Sequence, residues 1–220
     1  MLALVIDTSS AAVAAAVVDV AAEPFVRAER STINARAHSE LLSPAVAECL
    51  REVGIGRGDL AAVVAGVGPG PFTGLRVGLV TAAALALAFD VPTYGVGSLD
   101  GIAGSVDEAG ALLVAGDARR REVYWALYAG GRCIAGPAVG TATEVAEGLA
   151  GAPPVAMAGA GARAYRDVLP FPLLDHDYPS VAALAAAASD RIRAGAPTET
   201  LVPAYLRDPD AKPYADSRTR

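Results

Sequence analysis

The stretch Val64-Ala65-Gly66-Val67-Gly68-Pro69-Gly70-Pro71-Phe72-Thr73-Gly74-Leu75-Arg76-Val77-Gly78-Leu79 decides how the chain reads. Leu60 to Val67 is an apolar run with the length and β-branched content of a buried strand, and an alanine-rich segment of helical period follows Gly74. A strand, a loop dense in glycine and proline, and a helix are therefore predicted. Glycines let backbone N–H groups converge on an anion at a helix N-terminus, which invites a phosphate-binding reading. The residues argue against a P-loop. Gly74 is followed by Leu75 and Arg76 where a P-loop needs a lysine and a hydroxyl residue, and Pro69 and Pro71 remove two N–H donors. Thr73 is the expected N-cap, which puts Arg76 in the first turn, where the helix dipole disfavours a cation unless an anion answers it. Phe72, Thr73 and Arg76 are candidate ligand or partner contacts, the alternative being a stiff strand-to-helix turn.

The chain has 220 residues, over half of them apolar and led by alanine, enough for a sizeable core. Lys212 is the one lysine among many arginines, which reads as genome composition. A net charge of −6 argues against a general basic face for nucleic acid, whose phosphates dominate affinity. Cys49 and Cys133 have neither metal-site spacing nor the number of a disulfide framework, so a reduced, cytoplasmic setting is expected. The apolar N-terminus lacks a basic region and is interrupted by Asp7 and Asp19, and Leu79 to Phe89 is too short to span a membrane.

Leu2 to Ile6 and Ala11 to Val20 read as two strands of a hairpin around Asp7-Thr8-Ser9-Ser10, extended by Phe25 to Ser31. Asp7 and Ser9 can make an Asx-type turn. Within Ala35 to Val53, Leu41, Leu42, Ala45, Val46, Cys49, Leu50 and Val53 share one helix face, with Pro44 either starting the main helix or kinking a longer one. Gly74, Gly78 and Ala82 form a row of small residues that would let another helix approach. These two helices could form an interface, or be buried within the monomer. Val91 to Val96 reads as a strand, and a helix can start at Ser98 or Asp100 and run to about Glu108. The β pattern then restarts: Ala111 to Gly116, Glu122 to Ala129 and Gly131 to Ala135, with Asp117-Ala118-Arg119-Arg120-Arg121 as the first turn. Thr141 to Ala150 is a short helix, Val155 to Ala158 a strand, Gly159-Ala160-Gly161 a turn and Val181 to Arg193 a helix. From Asp208 a loose polar tail is expected.

Gly68-Pro69-Gly70-Pro71-Phe72-Thr73-Gly74-Leu75-Arg76-Val77-Gly78 closely resembles the G-P-G-S-F-T-G-L-R-I-G signature of TsaB, a bacterial family required for making threonylcarbamoyladenosine in tRNA. Pro71 in place of serine is the departure, and it removes an N–H and a hydroxyl. His38-Ser39-Glu40-Leu41-Leu42-Ser43-Pro44 is similar to a segment shared with the larger paralogue TsaD, in which a second histidine completes a metal site; here Leu42 stands in that place, so His38 is expected at a cap or the core edge. Asp117-Ala118-Arg119-Arg120 and Pro203-Ala204-Tyr205-Leu206-Arg207 also resemble TsaB.

The resemblance implies an α/β, actin-like (ribonuclease H-like) duplicated fold with two subdomains, the second reduced: residues 1–100, 101–207 and a tail from 208 to 220, joined near 97 to 110. In that superfamily Asp7 would sit beside nucleotide phosphates and Asp117 would be its counterpart, although Ala118 stands where a glycine is wanted. Asp7, Asp117 and Arg119 are accordingly candidate loop contacts, with no metal or cofactor implied. The family's role is non-catalytic: to bind and organise the transferase TsaD, with TsaE joining the complex, tRNA engaged indirectly, a homodimer when alone, and no membrane. The implied interface is Leu41, Leu42, Ala45, Val46, Cys49, Leu50, Gly74, Gly78 and Ala82. The rival is a small-molecule kinase or ATPase using Asp7 and Asp117; a hydrolase, with only His38 and His176 as histidines and no recognisable nucleophile, is a weaker one.

Overall fold

The run Leu2–Asp7 (β1) forms the middle of a five-stranded sheet because its residues beyond Leu2 are buried on both faces. It pairs antiparallel with β2 (Ala12–Asp19), which pairs with β3 (Phe25–Ile33), and parallel with β4 (Leu60–Gly66), which carries β5 (Thr93–Val96) at the far edge. The computed structural model describes residues 1–56 and 58–207; the tail expected from Asp208 lies outside them. Alternating side chains of the central strands point to two cores. Leu4, Ile6 and Val13 face helices α1 (His38–Val53) and α2 (Phe72–Phe89), which bring Leu42, Val46, Leu75 and Leu79. Ala3, Val5 and Ala16 face helix α6 (Val181–Arg193), through Leu184 and Ala188. The last helix of the chain therefore packs on the first sheet, although it belongs by sequence to the 101–207 segment.

Helix α3 (Ser98–Ala103) leads to a second sheet of β6 (Leu112–Arg119), β7 (Glu122–Ala129), β8 (Arg132–Thr141) and β9 (Ala156–Ala158), in the order β8-β7-β6-β9. Its antiparallel, antiparallel, parallel sequence of pairings repeats that of β3-β2-β1-β4 and stops one strand short. The architecture is thus a duplicated α/β fold with a reduced second sheet, as expected. Helix α4 (Ala142–Leu149) opens with a capping box between Thr141 and Glu144, and α5 (Ala160–Ala164) packs against β6.

Several local expectations need correction. Thr73 is not the N-cap of α2: Pro71 holds that position without a side-chain bond, because its fixed φ lets the helix start at Phe72. Pro44 does not open α1; it lies inside a helix that begins at His38. The α3 helix ends at Ala103, and Gly159 and Ala160 enter α5 directly. Asp117 lies within β6, and the turn is the two residues Arg120 and Arg121.

The link to the second sheet is anchored at the C-terminal end of β1. Asp7, 2% exposed, accepts hydrogen bonds from the Ser9 N–H at 3.0 Å, the Ser9 hydroxyl at 2.8 Å and the Ser98 hydroxyl at 2.7 Å. The Ser9 bonds are the Asx-type turn considered from the sequence. Ser98, the first residue of α3, also accepts from the Gly68 N–H and donates its own N–H to the Gly68 carbonyl, so one carboxylate pins β1, the central loop and the link to the second sheet. Gly66 is required by the approach: a Cβ there would lie 1.8 Å from Asp7 Oδ2. Burial raises the Asp7 carboxyl above its ordinary value, opposed by the bonds from Ser98 and Ser9. Asp7 therefore contributes fully to stability below about pH 4, and this contribution is lost as pH rises through the raised value. Thermal unfolding across pH 4 to 8 is expected to show Asp7→Asn gaining in Tm relative to the parent as pH rises; a difference independent of pH would contradict this. Leu184→Ala, at a fully buried contact between α6 and the first sheet, is expected to cost about 2–5 kcal/mol by denaturant unfolding.

Candidate functional site

The central loop delivers its first helical residues to the surface. Phe72, Thr73 and Arg76 are all exposed at the start of α2. Arg76 lies over the Phe72 ring at 3.4 Å and donates from Nε to the Tyr205 hydroxyl at 2.8 Å, while the Phe72 and Tyr205 rings stack at 5.0 Å. The expectation that Arg76 needs an answering anion inside the fold fails. Among the described residues it pairs with no carboxylate; two aromatic rings and a phenol oxygen, with solvent, hold the guanidinium instead.

Tyr205 belongs to a strap that runs from the end of α6 along the edge of the first sheet. Glu199 N–H donates to the Thr93 carbonyl, and its carboxylate accepts from Gly95 N–H and Arg191. Burial opposes ionisation of Glu199, but those partners outweigh it and hold the carboxyl below the usual range. Ala204 N–H then donates to the Val67 carbonyl, and Arg207 reaches the Ala118 carbonyl and Glu122 on the second sheet. The sequence shows the strap only as a Pro-x-Tyr-Leu-Arg resemblance, since it carries no period.

Asp7 is not open to a ligand in this arrangement, and Asp117 is in a different state. Asp117 is exposed on the second sheet and accepts the Arg119 N–H at 2.8 Å. Arg119, Arg120 and Arg121 are exposed and all have positive φ. His38, half-buried, lies at the core edge, where its Nε2–H donates to the Ser10 carbonyl at 2.8 Å. Among the described residues no group of three or more histidine, cysteine, aspartate or glutamate side chains could hold a metal ion.

The interface residues expected from the sequence differ in exposure. Leu42, Val46, Cys49, Gly74, Gly78 and Ala82 are buried within the monomer, and Leu41, Ala45 and Leu50 are half-buried against the same core. The row of small residues admits the Asp-Thr-Ser corner and, at Gly74, the start of α1: Thr8 donates to the Gly74 carbonyl at 2.8 Å, a Cβ on Gly74 would lie 3.2 Å from His38 Nε2, and one on Gly78 would lie 2.3 Å from Thr8 Oγ1. Besides Phe72 and Ala88, α2 exposes the opposite stripe, Thr73, Arg76, Val80, Ala83, Ala84 and Leu87, with Val80 68% and Leu87 84% exposed. The spacing rule misses this stripe because α2 is apolar all round, so no face stands out. The helix, 18 residues counted from Phe72, is by length and composition apolar enough to cross a membrane, while Leu75, Leu79, Ala82 and Ala86 pack into the core under the first sheet.

A family model described as "TsaD: tRNA N6-adenosine threonylcarbamoyltransferase" matches residues 31–214. The chain is 46% identical to uncharacterized proteins of Mycobacterium tuberculosis, over 96% of this chain and 94% of that protein, and of Mycobacterium leprae, of which it spans 56%. Escherichia coli TsaB, a tRNA threonylcarbamoyladenosine biosynthesis protein, is 42% identical over 96 residues, 42% of each chain. The solved structure of YeaZ from Pseudomonas aeruginosa superposes with a TM-score of 0.77 at 28% identity, covering 93% of this chain and 99% of that one. The activator of the 2-hydroxyisocaproyl-CoA dehydratase from Clostridium difficile, solved with bound ADPNP, shares the fold at a TM-score of 0.55 and 13% identity, over 89% of this chain and 97% of that one, in keeping with the actin-like architecture expected from the sequence. The chain belongs to the TsaD family, and proteins named for tRNA threonylcarbamoyladenosine biosynthesis, TsaB, are among the relatives it resembles.

Proposed function

We propose that the chain serves threonylcarbamoyladenosine formation in tRNA as a non-catalytic cytoplasmic subunit that binds and organises the transferase TsaD, with TsaE joining the complex and a homodimer forming when TsaD is absent. The observation that carries this reading is the outer stripe of α2. An exposed apolar run of Val80, Ala83, Ala84 and Leu87 on a rigid, well-packed helix is what a helix-to-helix contact needs. The closed Asp7 corner supports the non-catalytic part: both carboxylate oxygens already accept hydrogen bonds from the chain itself. The TsaB relatives, named for this biosynthesis, supply the pathway.

Formation of threonylcarbamoyladenosine on unmodified tRNA, by the cognate TsaD, TsaE and adenylate-forming enzyme, is expected to depend on the chain. Val80→Asp with Leu87→Asp should lower affinity for TsaD at least about tenfold and lower product formation, with the Tm unchanged because both side chains are exposed. Equal product without the chain would overturn the role; full activity of the double variant would move the contact elsewhere.

A further inference from the structure

The two hairpin turns of the second sheet are built alike from different residues. Ala129 pairs with Arg132 across Gly130-Gly131, and Arg119 pairs with Glu122 across Arg120-Arg121; both central residues have positive φ in each. That two-residue geometry favours glycine and asparagine. The chain uses glycine at one turn and arginine at both central places of the other, with a third positive-φ arginine, Arg119, just before it. At Arg119 and Arg121 the local cost has no return in packing, since both side chains are exposed.

The turn is also not an isolated charge. Arg207 bonds the Ala118 carbonyl next to it, and Tyr205, two residues earlier, accepts the bond from Arg76. Two residues of chain span at most about 7 Å, so Arg76, Arg207 and the turn lie along one edge. Among the described residues this edge presents the exposed Arg76, Arg119 and Arg121, with Asp117 beside them and a half-buried Arg207 paired with Glu122. Glu122 is taken by Arg207, and Asp117 accepts a backbone N–H. In a chain of net charge −6 this is a concentrated positive strip.

We infer that the β6–β7 turn, through Arg119 and Arg121 and with Arg76 along the same edge, contacts the phosphate backbone of RNA. Exposed guanidinium groups spread over a turn and a helix start suit successive phosphates of a polymer better than one enclosed anion. Identifying that RNA as tRNA rests on the function proposed above.

Binding of unmodified tRNA to the full chain, measured by fluorescence anisotropy between 50 and 200 mM salt, tests this. Arg119→Asn with Arg121→Gly suits the backbone of the turn and leaves Arg120 in place, so its Tm should be unchanged or higher. It is expected to weaken tRNA binding several-fold and to reduce the slope of log affinity against log salt by about 1 to 2; Arg76→Gln should reduce it by about 1. Equal affinity and slope in parent and variants would overturn the inference, as would loss of TsaD affinity with tRNA binding unchanged, which would assign the strip to an acidic protein surface. If modification proves independent of the chain while the turn variant still lowers the salt slope, the proposed role fails and the RNA contact stands. Modification that depends on the chain with no change in slope has the opposite meaning.

Discussion

The end of β1 is governed by a buried carboxylate that must be surrounded by donors, since an unsatisfied buried polar group costs about 1–3 kcal/mol and a charged one more. Ser9 supplies two of those donors from the corner itself, and Ser98 supplies the third from the start of α3. The position of α3, and so the way the second sheet is entered, follows from where Ser98 has to stand. The central loop follows too, because Ser98 exchanges hydrogen bonds with Gly68 in both directions. Glycine density in this stretch therefore reflects close packing of the loop and α2 on the Asp-Thr-Ser corner. It does not mark an open anion cradle.

A second constraint comes from the far end of the chain. Helix α6 fills one face of the first sheet, and the strap after it bonds in turn to β5, to the end of β4, to α2 and to the second sheet. The two related halves are thus joined twice, once through Ser98 and once through the strap. A loop change at either joint would be felt by both halves, because Ser98 donates to Asp7, 91 residues away, and Arg207 to the Ala118 carbonyl, 89 residues away.

The strands and long helices are legible in the sequence because burial imposes period and length: β7 and α6 have the bounds read from the residues, and the β restart after Gly110 announces the duplication. The helix start was not legible, since Thr73 has the chemistry of a cap while Pro71 has the backbone geometry. Asp7 could be recognised as a corner residue, but its third donor comes from 91 residues away, which no local pattern reveals. The sharpest failure is the face of α2. Gly74, Gly78 and Ala82 are small because Thr8 and the sheet press on them, and in a helix apolar on every side only the tertiary structure tells which stripe is left over.

The leftover stripe and the arginine strip share an origin at Arg76. Its guanidinium sits on Phe72 at the beginning of the apolar face and bonds Tyr205 at the beginning of the strap toward the β6–β7 turn. An apolar helix face gives contact area without sign, whereas the arginines give sign without an enclosed volume. A macromolecular surface combining the two need not neutralise the remaining negative charge of the chain, because charges more than about 8–10 Å apart across solvent are largely screened at physiological salt. The net charge of −6 thus limits a general basic face but not a narrow one, and the distinction lies in how the arginines are placed, not in how many there are.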